Sequence, residues 1–133
     1  MPRLLLDTHI LVRWLAQPGK LSRDQLRAIE GSARQGQPLA FCAITLLEIA
    51  VLFGVGTNRA KVPAQDLFSA IELDPALHII PIDIEIATEV AAMGKVLHDP
   101  ADRAIVATAR VRNLRLVTSD QEIIESKLVA VVE

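Results

Sequence analysis

Five carboxylates, Asp7, Glu48, Asp99, Asp102 and Asp120, stand where a fold could gather them. Asp7 closes the apolar run Leu4–Leu6, and Asp120 follows Leu116-Val117-Thr118. Glu48 lies one helical turn beyond the run Leu39–Ala43. Asp99 and Asp102 sit on and near the start of a helical segment that feeds the Leu116 run. If the apolar runs are parallel strands, their carboxyl ends share one edge, the edge where ligands bind in such sheets. Four or five acids at one rim, most without a basic neighbour in sequence, repel one another unless something cationic sits among them. Oxygen-only ligands suit Mg²⁺ or Mn²⁺. Such an ion lowers the pKa of a bound water and offsets charge on a phosphoryl oxygen, the equipment for in-line hydrolysis of a phosphodiester. No histidine–cysteine cluster points to zinc.

Each acid also has a purely structural reading. Glu48 is the third-position acid of a capping-box pattern begun by Thr45. Asp99 before Pro100 fits an N-cap with proline at the first helical position, and Asp102 is then an acid favoured by the helix dipole. Asp120 could cap the segment Gln121–Ser126. Asp7 fits such a role least, because Thr8 could cap the following helix without it. Among other polar residues, His9 lies two positions after Asp7 and could line the rim, although it has no obvious partner. His98 precedes Asp99 and could sit near a substrate, and His78 reads as structural. Arg103, beside Asp102, is a candidate phosphate contact or an ion-pair partner for a rim acid. Arg59 and Lys61 form a small basic patch in a loop.

The elements that must position these groups follow from periodicity. Arg3–Leu6 reads as a strand and Thr8–Ala16 as a helix broken by Pro18-Gly19. Ser22 and Gln25 make a capping box opening a helix to about Gln35, and Leu39–Ala43 is a strand. A helix from Thr45 to about Phe53, a loop over Gly54–Pro63 and a helix over Gln65–Leu73 lead into a β-branched strand, His78–Ile82. Ile84–Leu97 reads as one long helix and Ala101–Arg112 as another. Arg115–Thr118 is a strand, Gln121–Ser126 a short helix and Leu128–Val132 a last strand. Short apolar strands alternating with helices predict an α/β fold, a three-layer α/β/α sandwich around a mostly parallel sheet.

The 133 residues read as a single domain, 1–133, long enough to bury a substantial core; 51% are hydrophobic. The one cysteine, Cys42, excludes an intramolecular disulfide, no leader segment is visible, and a reducing cytoplasm is the expected location. The segment Leu39–Gly56 is apolar except for Thr45 and Glu48, but a carboxylate at mid-span would cost about 2.5–3.5 kcal/mol in a bilayer. It reads as core, and no membrane association is expected. The net charge is −2. Setting the five rim acids aside leaves eleven acids against fourteen bases, or +3, so a metal-loaded form could meet phosphate without strong repulsion. Trp14, Phe41, Phe53 and Phe68 lie in apolar patterns and there is no tyrosine, so recognition of a nucleic acid would use its backbone.

Four segments carry a resemblance to a known family. Leu4-Leu-Leu-Asp-Thr-His-Ile-Leu-Val-Arg-Trp-Leu15 resembles the opening of PIN-domain proteins, in the subgroup with histidine after Asp-Thr. Ile44-Thr-Leu-Leu-Glu-Ile-Ala50 resembles their second acidic motif, Asp99-Pro-Ala-Asp-Arg-Ala-Ile-Val-Ala-Thr-Ala109 the third and Leu116-Val-Thr-Ser-Asp120 the fourth. The four occur in order over nearly the whole chain. Arg13 stands where the subgroup often has an aromatic. The resemblance implies a Mg²⁺- or Mn²⁺-dependent endoribonuclease, of the kind that includes VapC-type toxins held inactive by an antitoxin, and usually found as homodimers. Carried over, Asp7, Glu48, Asp102 and Asp120 are the acidic quartet, Asp99 is an accessory acid, and Thr8 and Ser119 supply hydroxyls near the metal. In that reading Asp7, Asp102 and Asp120 hold the ion directly or through water, and Glu48 completes the shell or orients the attacking water. The helix around Trp14 and the helix Thr45–Phe53 are candidates for a dimer interface. The rivals are a PIN-fold binding module without activity, a phospho-acceptor receiver domain and a flap-type DNA nuclease. The receiver lacks a suitably placed lysine after a late strand, and the flap nuclease would need an extra helical arch.

Overall fold

Three-residue runs of leucine or valine are too short to be stable alone and hold only as rungs of a shared sheet. The structure, a computed structural model, describes residues 1–56 and 62–133; the Arg59–Lys61 patch lies outside the described residues. The strands are β1 Leu4–Leu6, β2 Leu39–Cys42, β3 Leu77–Ile80, β4 Arg115–Val117 and β5 Val131–Val132. They pair in the order β3-β2-β1-β4-β5, every pair parallel. The helices are α1 Thr8–Ala16, α2 Arg23–Arg34, α3 Ile44–Phe53, α4 Ala64–Leu73, α5 Ile84–Ala92, α6 Pro100–Arg112 and α7 Gln121–Ser126, with a 3-10 turn at Pro18–Lys20.

Alternation along the strands divides the core in two, as a two-residue period requires. Leu5, Ala40, Cys42 and Leu116 face one side and pack with Ile86, Ile105, Val106, Ala109 and Ile123 from α5, α6 and α7. Leu4, Leu6, Leu39, Phe41 and Val117 face the other and pack with Ile10, Leu11, Ile29, Ile49 and Leu67 from α1 to α4. Both faces are therefore covered, which gives the three-layer sandwich expected from the sequence. The order is not that of a receiver domain, whose sheet runs 2-1-3-4-5. The chain winds outward from β1 to β3, then crosses to β4 on the other flank of β1. The crevice between the carboxyl ends of β1 and β4 is thus the switch point, where ligands of open α/β sheets bind.

Several expected boundaries are corrected. α5 ends at Ala92, not Leu97, because Gly94 takes a left-handed conformation (φ +67°) and turns the chain. Met93 and Leu97 then bury themselves from that turn. Pro81 follows β3 directly, so the strand stops at Ile80 instead of Ile82. β5 has two residues where five were expected, because short β4 offers partners only to Val131 and Val132. The Thr45 capping box does not form. α3 starts at Ile44 behind Ala43 with no side-chain cap, and Thr45 is fully buried. The Ser22–Gln25 box forms as expected. Among the described residues no helix is long and apolar enough to cross a membrane.

Candidate active site

The switch-point crevice is a pocket of about 440 Å³ lined by Asp7, Glu48, Asp99, Asp102 and Asp120 together with Thr8, His9, Arg13, Gln17 and Lys20. All five acids singled out in the sequence meet here. Asp7 leaves β1 in an extended conformation and caps α1, the role that Thr8 could have filled in its place. Its Oδ1 accepts the Thr8 N–H at 2.8 Å and its Oδ2 accepts the Thr118 hydroxyl at 2.7 Å. With 3% exposure this carboxylate is held by donors on two sides. The fully buried Thr118 hydroxyl also accepts the Asp120 N–H at 3.0 Å, so one side chain ties the end of β1 to the end of β4.

Asp120 caps α7, taking the N–H groups of Glu122 and Ile123. Asp99 caps α6 with Pro100 at the first helical position, as the sequence suggests. Capping and a place in the pocket are compatible: a capping carboxylate spends one oxygen on the backbone and keeps the other free. Asp102 projects from the first turn of α6. Glu48, one turn into α3, accepts the Thr8 hydroxyl, which shares a 2.9 Å hydrogen bond with Thr45.

The electrostatics follow from this crowding. Burial, then the charges of Asp120, Asp7, Asp99 and Glu48, push Asp102 up to about 7. Glu48 is raised by burial, partly offset by the Thr8 hydrogen bond, and raised again by Asp7 and Asp99. Burial is the larger cause of both shifts, and the neighbouring carboxylates add to it.

His9 has partners after all. Its Nε2 accepts the Ser119 N–H at 2.9 Å and its Nδ1 stands 3.6 Å from Asp7. A nitrogen that accepts an N–H carries no proton, so the ring proton sits on Nδ1 toward Asp7. Burial above all, and Arg13 too, lowers the His9 pKa against the opposing pull of Asp7 and Asp120, which favours this neutral form.

Arg103 is a correction. Its guanidinium donates to the Val90 carbonyl at 3.1 Å, toward α5, and it neither lines the pocket nor pairs with an acid there. Ser119 turns its hydroxyl to Gln25 (2.8 Å) and, at 3.5 Å, to Arg13; it is not a lining residue. His98 is exposed outside the pocket and His78 is exposed on the edge strand β3.

With this geometry in place, the comparisons with known proteins are decisive. The PIN domain family model matches residues 4–127. The chain belongs to the PIN-domain family. It is 33% identical over 126 residues to Ribonuclease VapC22 of Mycobacterium tuberculosis, covering 92% of this chain and 91% of that protein. Its fold is similar to that of VapBC2 from Rickettsia felis bound to a promoter DNA fragment, with TM-score 0.72 and 16% identity over 96% of each chain. It is also similar to FitAcB from Neisseria gonorrhoeae, with TM-score 0.71 and 20% identity over 98% of this chain and 96% of the other. At those identities the two structures speak to the fold alone.

The donor set of this PIN domain suits a hard divalent cation: oxygen ligands only, clustered and mutually repelling. Among the described residues no three His, Cys, Asp or Glu side chains already converge as a coordination shell. Sequence reasoning missed Thr118, which joins Asp7 to Asp120, Thr45, which bonds the Thr8 hydroxyl that reaches Glu48, and Gln25, which is fully buried and donates toward Thr118 and Ser119. It also assigned nothing to Arg13, Gln17 and Lys20. Their signal was present as a polar stripe running from His9 through positions four, eight and eleven residues on.

Proposed function

We propose that this chain is a metal-dependent endoribonuclease of the VapC type, the toxin of a toxin–antitoxin pair. The observation that carries the reading is the convergence of Asp7, Glu48, Asp99, Asp102 and Asp120 in one pocket at the β1/β4 switch point. The name of the Mycobacterium relative supports ribonuclease activity, and its match spans nearly the whole chain. The similarity in fold to VapBC2, FitAcB and a toxin–antitoxin complex from Klebsiella pneumoniae supports a cognate antitoxin as partner.

Asp7, Asp102 and Asp120 would hold a Mg²⁺ or Mn²⁺ ion, with Asp99 and Glu48 completing its outer shell. When bound, the ion supplies charge for a phosphoryl oxygen and acidifies a water. The remaining work falls to the chain. Thr118 and the Thr8 N–H hold Asp7 in one rotamer, so a phosphodiester meets a preset arrangement. Glu48, its basicity raised by burial, is placed to accept a proton from the attacking water while the Thr8 hydroxyl orients it. Neutral His9 fixes the Ser119–Asp120 loop. A second copy would pack on α3, where Leu47 and Val51 lie one turn apart and are 60% and 65% exposed. Trp14 is half-buried against the core and is a weaker candidate for that contact.

The test is cleavage of a labelled single-stranded RNA panel with Mg²⁺, with Mn²⁺ and with EDTA. Asp7→Asn, prepared in parallel, controls for contaminating nucleases. Loss of several kcal/mol of charge stabilisation corresponds to a fall of about 10³-fold. Equal cleavage by both proteins, or cleavage that survives EDTA, defeats the proposal.

A further inference from the structure

Basic residues line the same pocket as the acids. Arg13 lies in the last turn of α1, Gln17 caps that helix with its backbone N–H on the Arg13 carbonyl, and the 3-10 turn that follows adds Lys20. All three line the pocket that holds the five carboxylates. Yet among the described residues neither Arg13 nor Lys20 forms an ion pair: the Arg13 guanidinium reaches only the Ser119 hydroxyl, at 3.5 Å. Cations placed to neutralise the acids would pair with them. These two share the acids' pocket and leave its acids unpaired.

We propose that Arg13 and Lys20 form a seat for the RNA backbone, gripping phosphates on one side of the bond to be cleaved. This rests on the nuclease reading of the acids. The seat addresses a specific difficulty, because a pocket with five acids repels a polyanion even when one divalent ion is bound, and a cationic wall restores attraction along the entry path. Arginine's planar fork suits a bidentate grip on a phosphate, and lysine supplies a second point charge. Gln17 between them offers an uncharged donor. Phosphate contacts fix register without reading bases, in keeping with a pocket where, among the described residues, Phe53 is the one Phe, Tyr or Trp in the lining.

Binding is tested apart from cleavage, by fluorescence anisotropy of a labelled single-stranded RNA on Asp7→Asn protein in Mg²⁺ over a salt series. Arg13→Ala, Lys20→Ala and their combination are then added to that background, with thermal melts confirming folding. Arg13→Lys serves as a charge-preserving variant. Arg115→Ala removes one exposed charge from the far end of the sheet. Each lost phosphate contact lowers the slope of log K against log salt by about 0.7 for single strands. The double variant is expected to bind at least tenfold more weakly and to lose about 1.4 from that slope. Arg13→Lys should keep the slope, and Arg115→Ala should match the parent. Unchanged affinity and slope in the double variant, an equal effect of Arg115→Ala, or no RNA binding by the folded parent each overturns the seat. The nuclease reading stands or falls separately, on metal-dependent cleavage by the unsubstituted chain.

Discussion

Helix α6 joins two charged regions that handle charge in opposite ways. At its C-terminal end Arg110 pairs with Glu89 at 2.7 Å and Arg112 pairs with Asp83, linking α6 to α5 and its cap. At its N-terminal end Asp99 and Asp102 face three more acids, and the two cations sharing their pocket pair with none of them. Both ends obey the helix dipole, with acids first and bases last. Only one end is internally balanced. A balanced end contributes a little stability and asks nothing of other molecules, whereas an unbalanced end stores repulsion that a bound partner can relieve. Perturbed, unneutralised carboxylates in a cleft are what a functional site requires.

Three changes would sharpen or break that contrast. Thr118→Val keeps the shape and removes the hydroxyl that joins Asp7 to Asp120. Outer partners of this kind are worth about 10–100-fold in metal affinity or activity, so cleavage should fall by that much while the protein stays folded. Wild-type cleavage by this variant would show that Asp7 needs no such support.

The next effect is on stability. Asp102, at about 7 in the folded chain against an ordinary 3.8, binds its proton more tightly folded than unfolded. Its stabilising share is complete below about pH 4 and is lost as pH rises from there to about 7. Melts of the EDTA-treated protein should therefore fall over that window relative to Asp102→Asn. The gap should be about 1 kcal/mol, discounted because water reaches this half-buried group. Mg²⁺ should recover the loss in wild type and less of it in the variant. Identical pH profiles for the two would remove the case for stored repulsion. The smallest effect belongs to the balanced end. Arg110→Ala should cost about 0–1 kcal/mol and leave RNA cleavage intact, and a large loss of activity there would mean the two ends are not independent.

The layer architecture and the meeting of the five acids were both legible in the sequence, for one reason. Strand ends of a parallel sheet share an edge, so Asp7 and Asp120 needed only correct strands to be placed together. Directions of side chains were less legible. Arg103 is adjacent to Asp102, but neighbours on a helix point about 100° apart, and Arg103 turns to α5 instead of the pocket. Thr45 fitted a capping pattern, yet its value lies in a hydroxyl contact with Thr8, 37 residues away, which no local pattern contains. The stop of α5 turned on Gly94, one small residue within a run of small residues that also suits a continuous helix.

Three of the pocket acids, Asp7, Asp99 and Asp120, are also the first hydrogen-bonding residues of their helices. Asparagine caps a helix about as well as aspartate does, whereas alanine loses about 1 kcal/mol at such a position. A single-nucleotide drift from aspartate to asparagine would thus remove a carboxylate from the pocket and leave every helix anchored. On the proposed reading, the chain can lose its activity in one step while keeping a folded body.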